Sequence, residues 1–360
     1  MKILDRYIIS KFLGTFFYAI ALIISVAIVF DFSEKVDDFI QRDAPAKAII
    51  FEYYFNFVPY FINLFSPLFT FIAVVFFTSK MASDTEIVAI LASGISFNRM
   101  LRPYLVAATV LAILSFLLIN FIIPPANKTR LDFEERYVRN PYFNREYNIH
   151  RQTGPGTFIY FESYNNQRNI GYKFSLEHID KETGEMKYKL MSDMISWDTI
   201  QKKWKLDNYF YRTIDNLNEK IVSGVSMDTL FNFYPDEFGK RINNIETMNY
   251  FELNDFIEQE KFKGSENVVH SEIEKHKRIA LPFATFILTI IGVSIASRKV
   301  RGGIGLHIGL GLLISFTYIL FMQVSNTFAT NAGLSPFIAT WIPNIIYLFL
   351  GLYLLKKSPK

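Results

Sequence analysis

A sequence of 360 residues with no cysteine has no disulfide, thiolate metal site or cysteine nucleophile, so any chemistry falls to its acids, hydroxyls and five histidines. These are not arranged for catalysis. His270, Glu272, Glu274 and His276 show i,i+4 spacing on a predicted helix, as a two-residue metal site would, but no further ligand cluster lies near them and a solvated charged face explains the pattern. The paired acids Asp37-Asp38 and Glu134-Glu135 fall on polar faces, and no Ser-His-Asp grouping stands out. There is no G-x-x-x-x-G-K-[ST] phosphate loop, and Gly154-Pro155-Gly156 leads into a predicted strand. The residues that remain suit recognition. Between Ser83 and Gly94 the sequence reads SDTEIVAILASG: Ser83, Asp84 and Glu86 fit a capping box, and Gly94 supplies the C-cap. Ile87, Val88, Ile90 and Leu91 make the predicted helix apolar, with small Ala89, Ala92 and Ser93 between. Such a helix either rests on lipid or docks as a peg in a groove of a soluble partner, where Glu86 meets an arginine. The residues alone leave both open.

The elements that hold this helix follow from charge. Six windows carry no charged residue: Phe12–Phe30, Tyr60–Thr78, Tyr104–Ile123, Ile279–Ala296, Ile304–Met322 and Phe337–Leu355. At 1.5 Å per residue each is about 28 Å long as a helix, enough for a hydrocarbon core of ~30 Å. The chain therefore reads as a six-pass helical membrane protein, and the first window as a retained span rather than a cleaved signal. With the N-terminus inside, segments 1–11, 79–103, 297–303 and 356–360 hold twelve basic residues against three acids. That positive-inside pattern puts both termini and the 83–94 helix in the cytoplasm, and attributes the net charge of +4 to topology rather than to nucleic acid. The expected organisation is spans one to three over 1–123, an external domain over 124–278 and spans four to six over 279–360.

In the external segment Pro124-Pro125 is expected to end the third span, with residues 127–139 extending it as a short helix. The period then changes to two. Tyr172, Phe174 and Leu176 alternate with Lys173 and Ser175; Met186, Tyr188 and Leu190 alternate with Lys187 and Lys189; the 180–184 turn between them makes a hairpin. Residues 157–164, 194–200, 204–212 and 220–225 are further strands, so an inserted antiparallel β domain of sandwich or jelly-roll type is expected, with a return to helix over 253–277. Its alternating apolar faces suit either a closed core or a groove open to acyl chains. Gly305 and Gly309, followed by Gly311, form a small-xxx-small pattern for close helix packing in span five, and His307 reads as a neutral, hydrogen-bonded side chain.

Several stretches together resemble the LptF/LptG family, the permease subunits of the lipopolysaccharide-export ABC transporter: LDRYI at Leu4–Ile8, SDTEIVAILASGIS at Ser83–Ser96, KRIALPF at Lys277–Phe283 and RGGIGLHIG at Arg301–Gly309. Trp197 and Trp204 are spaced as in such external domains, and the resemblance covers nearly the whole chain. It implies a bacterial inner-membrane protein with a periplasmic jelly roll. The 83–94 segment would be the coupling helix seated in a separate dimeric, LptB-like ATPase, with Ser83, Asp84, Glu86, Ile87, Ile90, Leu91 and Gly94 at the contact. The chain itself would need no cofactor, ATP being bound by that subunit. Further implied partners are a homologous permease (LptF or LptG), LptC-like and LptA-like bridge proteins, membrane lipid and lipopolysaccharide. Lys35 and Arg42 would meet lipid phosphates, against a plain solvated helix end in which Lys35 pairs with Glu34 or Asp31. Phe61, Phe65, Tyr172, Phe174 and Leu176 would contact acyl chains. Family members carry a lysine where, counted from LDRYI, this chain has Asp31. The alternatives are a permease for another lipid, a force-transmitting scaffold or a membrane glycolipid transferase.

Overall fold

The computed structural model describes residues 2–140, 143–215, 218–239, 242–265, 268–298 and 303–358; Lys299, Arg301, Gly302 and Lys360, which entered the charge count or the motifs, lie outside them. The chain divides into two compact units. The first comprises residues 1–139, 245–253 and 269–360, the second residues 140–244 and 254–268.

In the first unit, α1 (Ile3–Gln41) is followed by α2 (Ala46–Ala48), a π-helical turn over Ile49–Tyr54 and α3 (Phe55–Ser83). Then come α4 (Glu86–Ala92), α5 (Phe97–Leu117), a second π segment over Leu118–Ile122 and α6 (Ile123–Tyr137). Six helices among the described residues are long and apolar enough to cross a membrane. The first three outrun their charge-free windows at both ends, and the fourth at its start. The helix of the third span runs on through Pro124-Pro125 into α6, the extension that the sequence also allowed. The prolines occupy the first turn of α6, and the preceding π segment shifts the hydrogen-bond ladder so that their missing N–H groups interrupt nothing. α3 sits at the centre. It packs on α1, on α6 and on α10 (Gly303–Ala332), which in turn packs on α11 (Pro336–Lys356). α9 (Val268–Ala296) meets α3 at Gly292, where an added Cβ would lie 2.8 Å from Val74 Cγ1. Hydrogen bonds join the second set of spans: Tyr318 donates to Asn344 Oδ1 (2.8 Å), and Asn344 donates to the Ala280 carbonyl (2.9 Å).

The second unit holds one six-stranded antiparallel sheet: β1 (Tyr147–Gly154), β2 (Thr157–Asn165), β3 (Ile170–Ile179), β4 (Met186–Asp198), β5 (Lys203–Asp215) and β6 (Asn218–Thr229). Each strand pairs with its sequence neighbour, so the expected antiparallel β domain has meander connectivity, simpler than a jelly roll's crossovers. The β3–β4 hairpin forms as read, with Leu176 opposite Leu190 and an Asx turn at Asp180. β1 was not anticipated, and β4 is one strand where the sequence suggested two. α7 (Asp236–Gly239), a 3-10 turn at Ile242–Thr247 and α8 (Tyr250–Lys263) follow β6 in the chain.

A row of residues crosses the sheet where the alternation slips. Asn148, Glu162, Lys173, Asp193, Asn208 and Val225 stand opposite one another, flanked by regular pairs such as Tyr172↔Met194 and Phe174↔Ser192. Asn148, Lys173 and Asn208, on alternate strands, have φ near +50°. On either side the buried positions are three apart, Phe161 and Tyr164 in β2, Gly171 and Phe174 in β3. A left-handed residue kinks a strand and advances its side-chain phase by one, so the inward face stays apolar on both sides of the row. Lys173 (3.1 Å) and Asn208 (3.3 Å) both reach Asp193 and hold its carboxyl below the usual carboxylate range. The core inside this kinked sheet is continuous, from Ile149 and Ile159 to Trp204 and Leu206, and Phe231, Phe233 and Phe238 fill it from the segment after β6. Trp204 is fully buried and donates through Nε1 to the Phe233 carbonyl at 3.0 Å.

Candidate functional site

The segment between α3 and α5 is built differently from the capping box read in the sequence. α3 runs on to Ser83 because Met81 and Ala82 are buried, so Ser83 ends one helix instead of capping the next. Thr85 turns the chain with φ +61°, and Glu86 is the first residue of α4 rather than its third. Its carboxylate therefore accepts no bond of a capping box. Tyr7 of α1 donates to both its oxygens, at 3.0 and 3.3 Å. Gly94 lies in the left-handed region just beyond the helix, as expected, with its N–H donating to the Leu91 carbonyl. Ile87 is buried, and Ile90 and Leu91 pack on a cluster that includes Ile8, Phe12, Met81, Phe97 and Met100. Most of the apolar face of α4 is thus covered by the chain's own helices, Ile87 fully and Ile90 and Leu91 in part. What faces outward is Asp84, Val88, Ala89 and Ala92, with half-buried Glu86 at their edge. Small side chains there allow another backbone to approach closely, which is what a peg needs and a lipid anchor does not.

At the far end of α1 the two expected cations are engaged within the chain. Lys35 donates to Asp31 Oδ1 at 2.5 Å and to the Tyr53 hydroxyl. Tyr53 and Tyr54, in the π turn before α3, each donate to the Asp31 carboxylate at 3.1 Å. Arg42 ends α1 and donates to the Arg139 carbonyl at 2.7 Å. The simple Asp31–Lys35 pair weighed from sequence is therefore present, enlarged by two tyrosines that sequence reading missed because the π turn sets their direction. Beside it Phe57 stacks on Phe61, with ring centres 3.8 Å apart, and the series continues through Phe65 to Phe69 at four-residue spacing along α3. Phe61 and Phe65 are half-buried, each packed partly into the chain's own core.

The three aromatic and aliphatic candidates of β3 do not share a face. Phe174 and Leu176 point inward, but Tyr172 lies outside, because left-handed Lys173 intervenes. Phe174 contacts Phe161, Phe231 and Phe233, so an acyl chain reaches it only where the 231–233 segment yields. In α10, Gly305 and Gly309 have open space around them; Gly311, two residues on and so on another face, makes the close approach, 3.2 Å from Phe71 to an added Cβ. His307 is buried with its Nδ1 2.8 Å from Ser79 Oγ. Of the acids in the α9 pattern, Glu274 binds Arg278 at 3.2 Å, and that fully buried guanidinium also donates to the carbonyls of Met248 (2.8 Å) and Ile245 (3.2 Å). Among the described residues no group of three or more metal-ligating side chains forms.

Residues 6–357 match the family model described as lipopolysaccharide export system permease LptF/LptG. The chain is 18% identical to the lipopolysaccharide export system permease protein LptG of Escherichia coli K12, over 99% of this chain and 98% of that protein, and equally to that of Escherichia coli O6:H1 strain CFT073. Six spans, an inserted antiparallel sheet and a family match from the start of α1 to the end of α11 lead to one conclusion: the chain belongs to the LptF/LptG family of lipopolysaccharide export permeases.

Proposed function

We propose that this chain is one of two homologous permease subunits of an ABC transporter in the bacterial inner membrane, and that it passes lipopolysaccharide from the outer leaflet into its β domain. The observation that carries the reading is α4, a short helix fixed on the spans by its apolar face and presenting small residues and a glutamate outward. That is the form of a socket-seated coupling helix, and it supplies what the chain lacks, since its sequence has no phosphate loop of its own. In this reading α4 and both termini are cytoplasmic, as the excess of basic residues in those segments favours, and the β domain is periplasmic. A dimeric ATPase docks on α4 and pairs an arginine with Glu86, a charge-assisted bond of about 1.5–3 kcal/mol.

The β domain completes the path. β6 is an edge strand of 12 residues whose Ile221 and Val225 are 64% and 80% exposed. A long apolar edge left unpaired invites aggregation; pairing with a like domain of a bridge protein gives it a partner. Depletion of the protein tests the assignment. Lipopolysaccharide should accumulate in the inner membrane, and normal delivery to the cell surface would refute it.

A further inference from the structure

α1 is held to the membrane unit by a narrow seam. Its buried residues Ile8, Phe12, Phe16, Ile20 and Ile24 recur every fourth position, whereas α3 is buried without a break from Ser66 to Phe71. A seam one residue wide leaves most of the helix surface uncommitted and resists sliding and tilting weakly. Polar contacts reinforce it at each end. Near α4, both terminal nitrogens of Arg99 donate to the Asp5 carboxylate, at 2.7 and 2.9 Å, and Tyr7 donates to Glu86 at 3.0 Å. Glu86 opens α4 and Arg99 lies in the first turn of α5, so α1 grips the α4 loop on both flanks. At the other end Asp31 gathers Lys35, Tyr53 and Tyr54. About 36 Å of uninterrupted helix separates Tyr7 from Asp31.

We propose that Asp5 and Tyr7 are positioning residues that lock span one to the α4 loop, Tyr7 at the start of α4 and Asp5 through Arg99 at the start of α5, so that a displacement of α4 is delivered along α1 to the Asp31 cluster at the opposite end. The proposal rests on the docking role of α4 given above. Without the locks α4 pulls on its flanking helices α3 and α5 through the chain, and α1 follows only through its seam. A bidentate arginine–carboxylate pair fixes orientation as well as distance, and a second contact on the other flank prevents the loop from swivelling about it. Glu86 is shared in this scheme. A carboxylate has about four lone-pair sites and Tyr7 satisfies one side, which leaves room for a cation from the partner, so load on Glu86 reaches α1 through one group.

The test uses the whole transporter, with its partner permease and ATPase, in vesicles containing lipopolysaccharide. Tyr7→Phe, which removes one oxygen, should lower the lipopolysaccharide moved per ATP hydrolysed by about fivefold, and Asp5→Asn by about tenfold, as loss of one hydrogen bond and of one charge-assisted pair imply. ATPase assembly and KM for ATP should stay within about twofold, because Glu86 and the outward residues of α4 are all kept. The exchange Asp5→Arg with Arg99→Asp should restore transport per ATP. Wild-type coupling in both single variants overturns the proposal, as does an exchange no better than the singles. If instead Glu86→Ala assembles with the ATPase and works as wild type, the docking reading itself has failed. If Asp5→Asn does not accumulate as folded protein, Tyr7→Phe alone decides.

Discussion

Replacing Arg278 probes how the membrane unit is tied together. This guanidinium is 1% exposed and serves three acceptors, the Met248 and Ile245 carbonyls and Glu274 Oε1. The carbonyls belong to the 245–253 stretch, which clusters with the spans rather than with the β domain, and Arg278 is the staple that holds it there. Arg278→Leu keeps much of the buried apolar stem but leaves two carbonyls and a carboxylate without their donor. Breaking a buried charged group from its partners costs about 3–5 kcal/mol, which for a chain of this size lowers the melting temperature by roughly 5 °C or more. Arg278→Lys keeps the charge without the planar fork that reaches three acceptors at once, so it should fall between the two. Lys277→Ala is the control, since its Nζ lies 4.0 Å from Glu274 on a partly exposed side chain; it should change stability by no more than about 0.5 kcal/mol. Thermal unfolding of the detergent-solubilised protein, followed by intrinsic fluorescence, reads all three. Arg278→Leu melting with wild type would refute the argument that the buried network holds this segment.

Gly171→Ala should destabilise the β domain by about 1–3 kcal/mol, because the new Cβ would lie 2.4 Å from the Phe161 ring; unchanged melting would show that the ring moves freely. Glu246 sits partly buried near Glu274, and burial first, then that neighbouring charge, raises its carboxyl above the usual range. A group harder to ionise folded than unfolded costs stability as pH rises above its ordinary value of about 4.3. Melting temperature should therefore decline with pH through that window, and Glu246→Gln should flatten the decline; an unaltered profile rules this out. Val225→Lys on the exposed edge should leave melting unchanged but abolish cross-linking of β6 to a neighbouring β domain, and persistent cross-linking would locate the pairing edge elsewhere.

Charge-free windows reveal the spans because hydrocarbon tolerates few charges, yet they understate the helices. α1 continues to Gln41 through Asp31, Glu34 and Lys35, where side-chain contacts rather than hydropathy sustain it. A proline pair reads as a stop only when the preceding turns are α-helical; the π segment at Leu118–Ile122 removes that conflict and no local composition announces it. The S-x-x-E spacing at Ser83 suggested a capping box, but the glutamate's partner is Tyr7, 79 residues away in sequence. LDRYI was visible as a family motif, whereas the work of its Asp5 and Tyr7 required the fold. In the β domain alternation finds most strands; the phase slip at Asp193 makes β4 read as two, and the one at Lys173 puts Tyr172 in false alternation with Phe174. β1 carries only one fully buried residue, Ile149, too little apolar pattern to stand out.

The claim that lipopolysaccharide passes through this chain's β domain is tested most directly at Phe231, whose ring packs on Phe174 at the face of the domain core. A photo-crosslinking residue placed there, in the full transporter reconstituted with lipopolysaccharide, should capture the lipid when ATP is supplied and not when it is withheld. Capture of protein alone, or of lipid equally with and without ATP, would contradict a path driven through this domain.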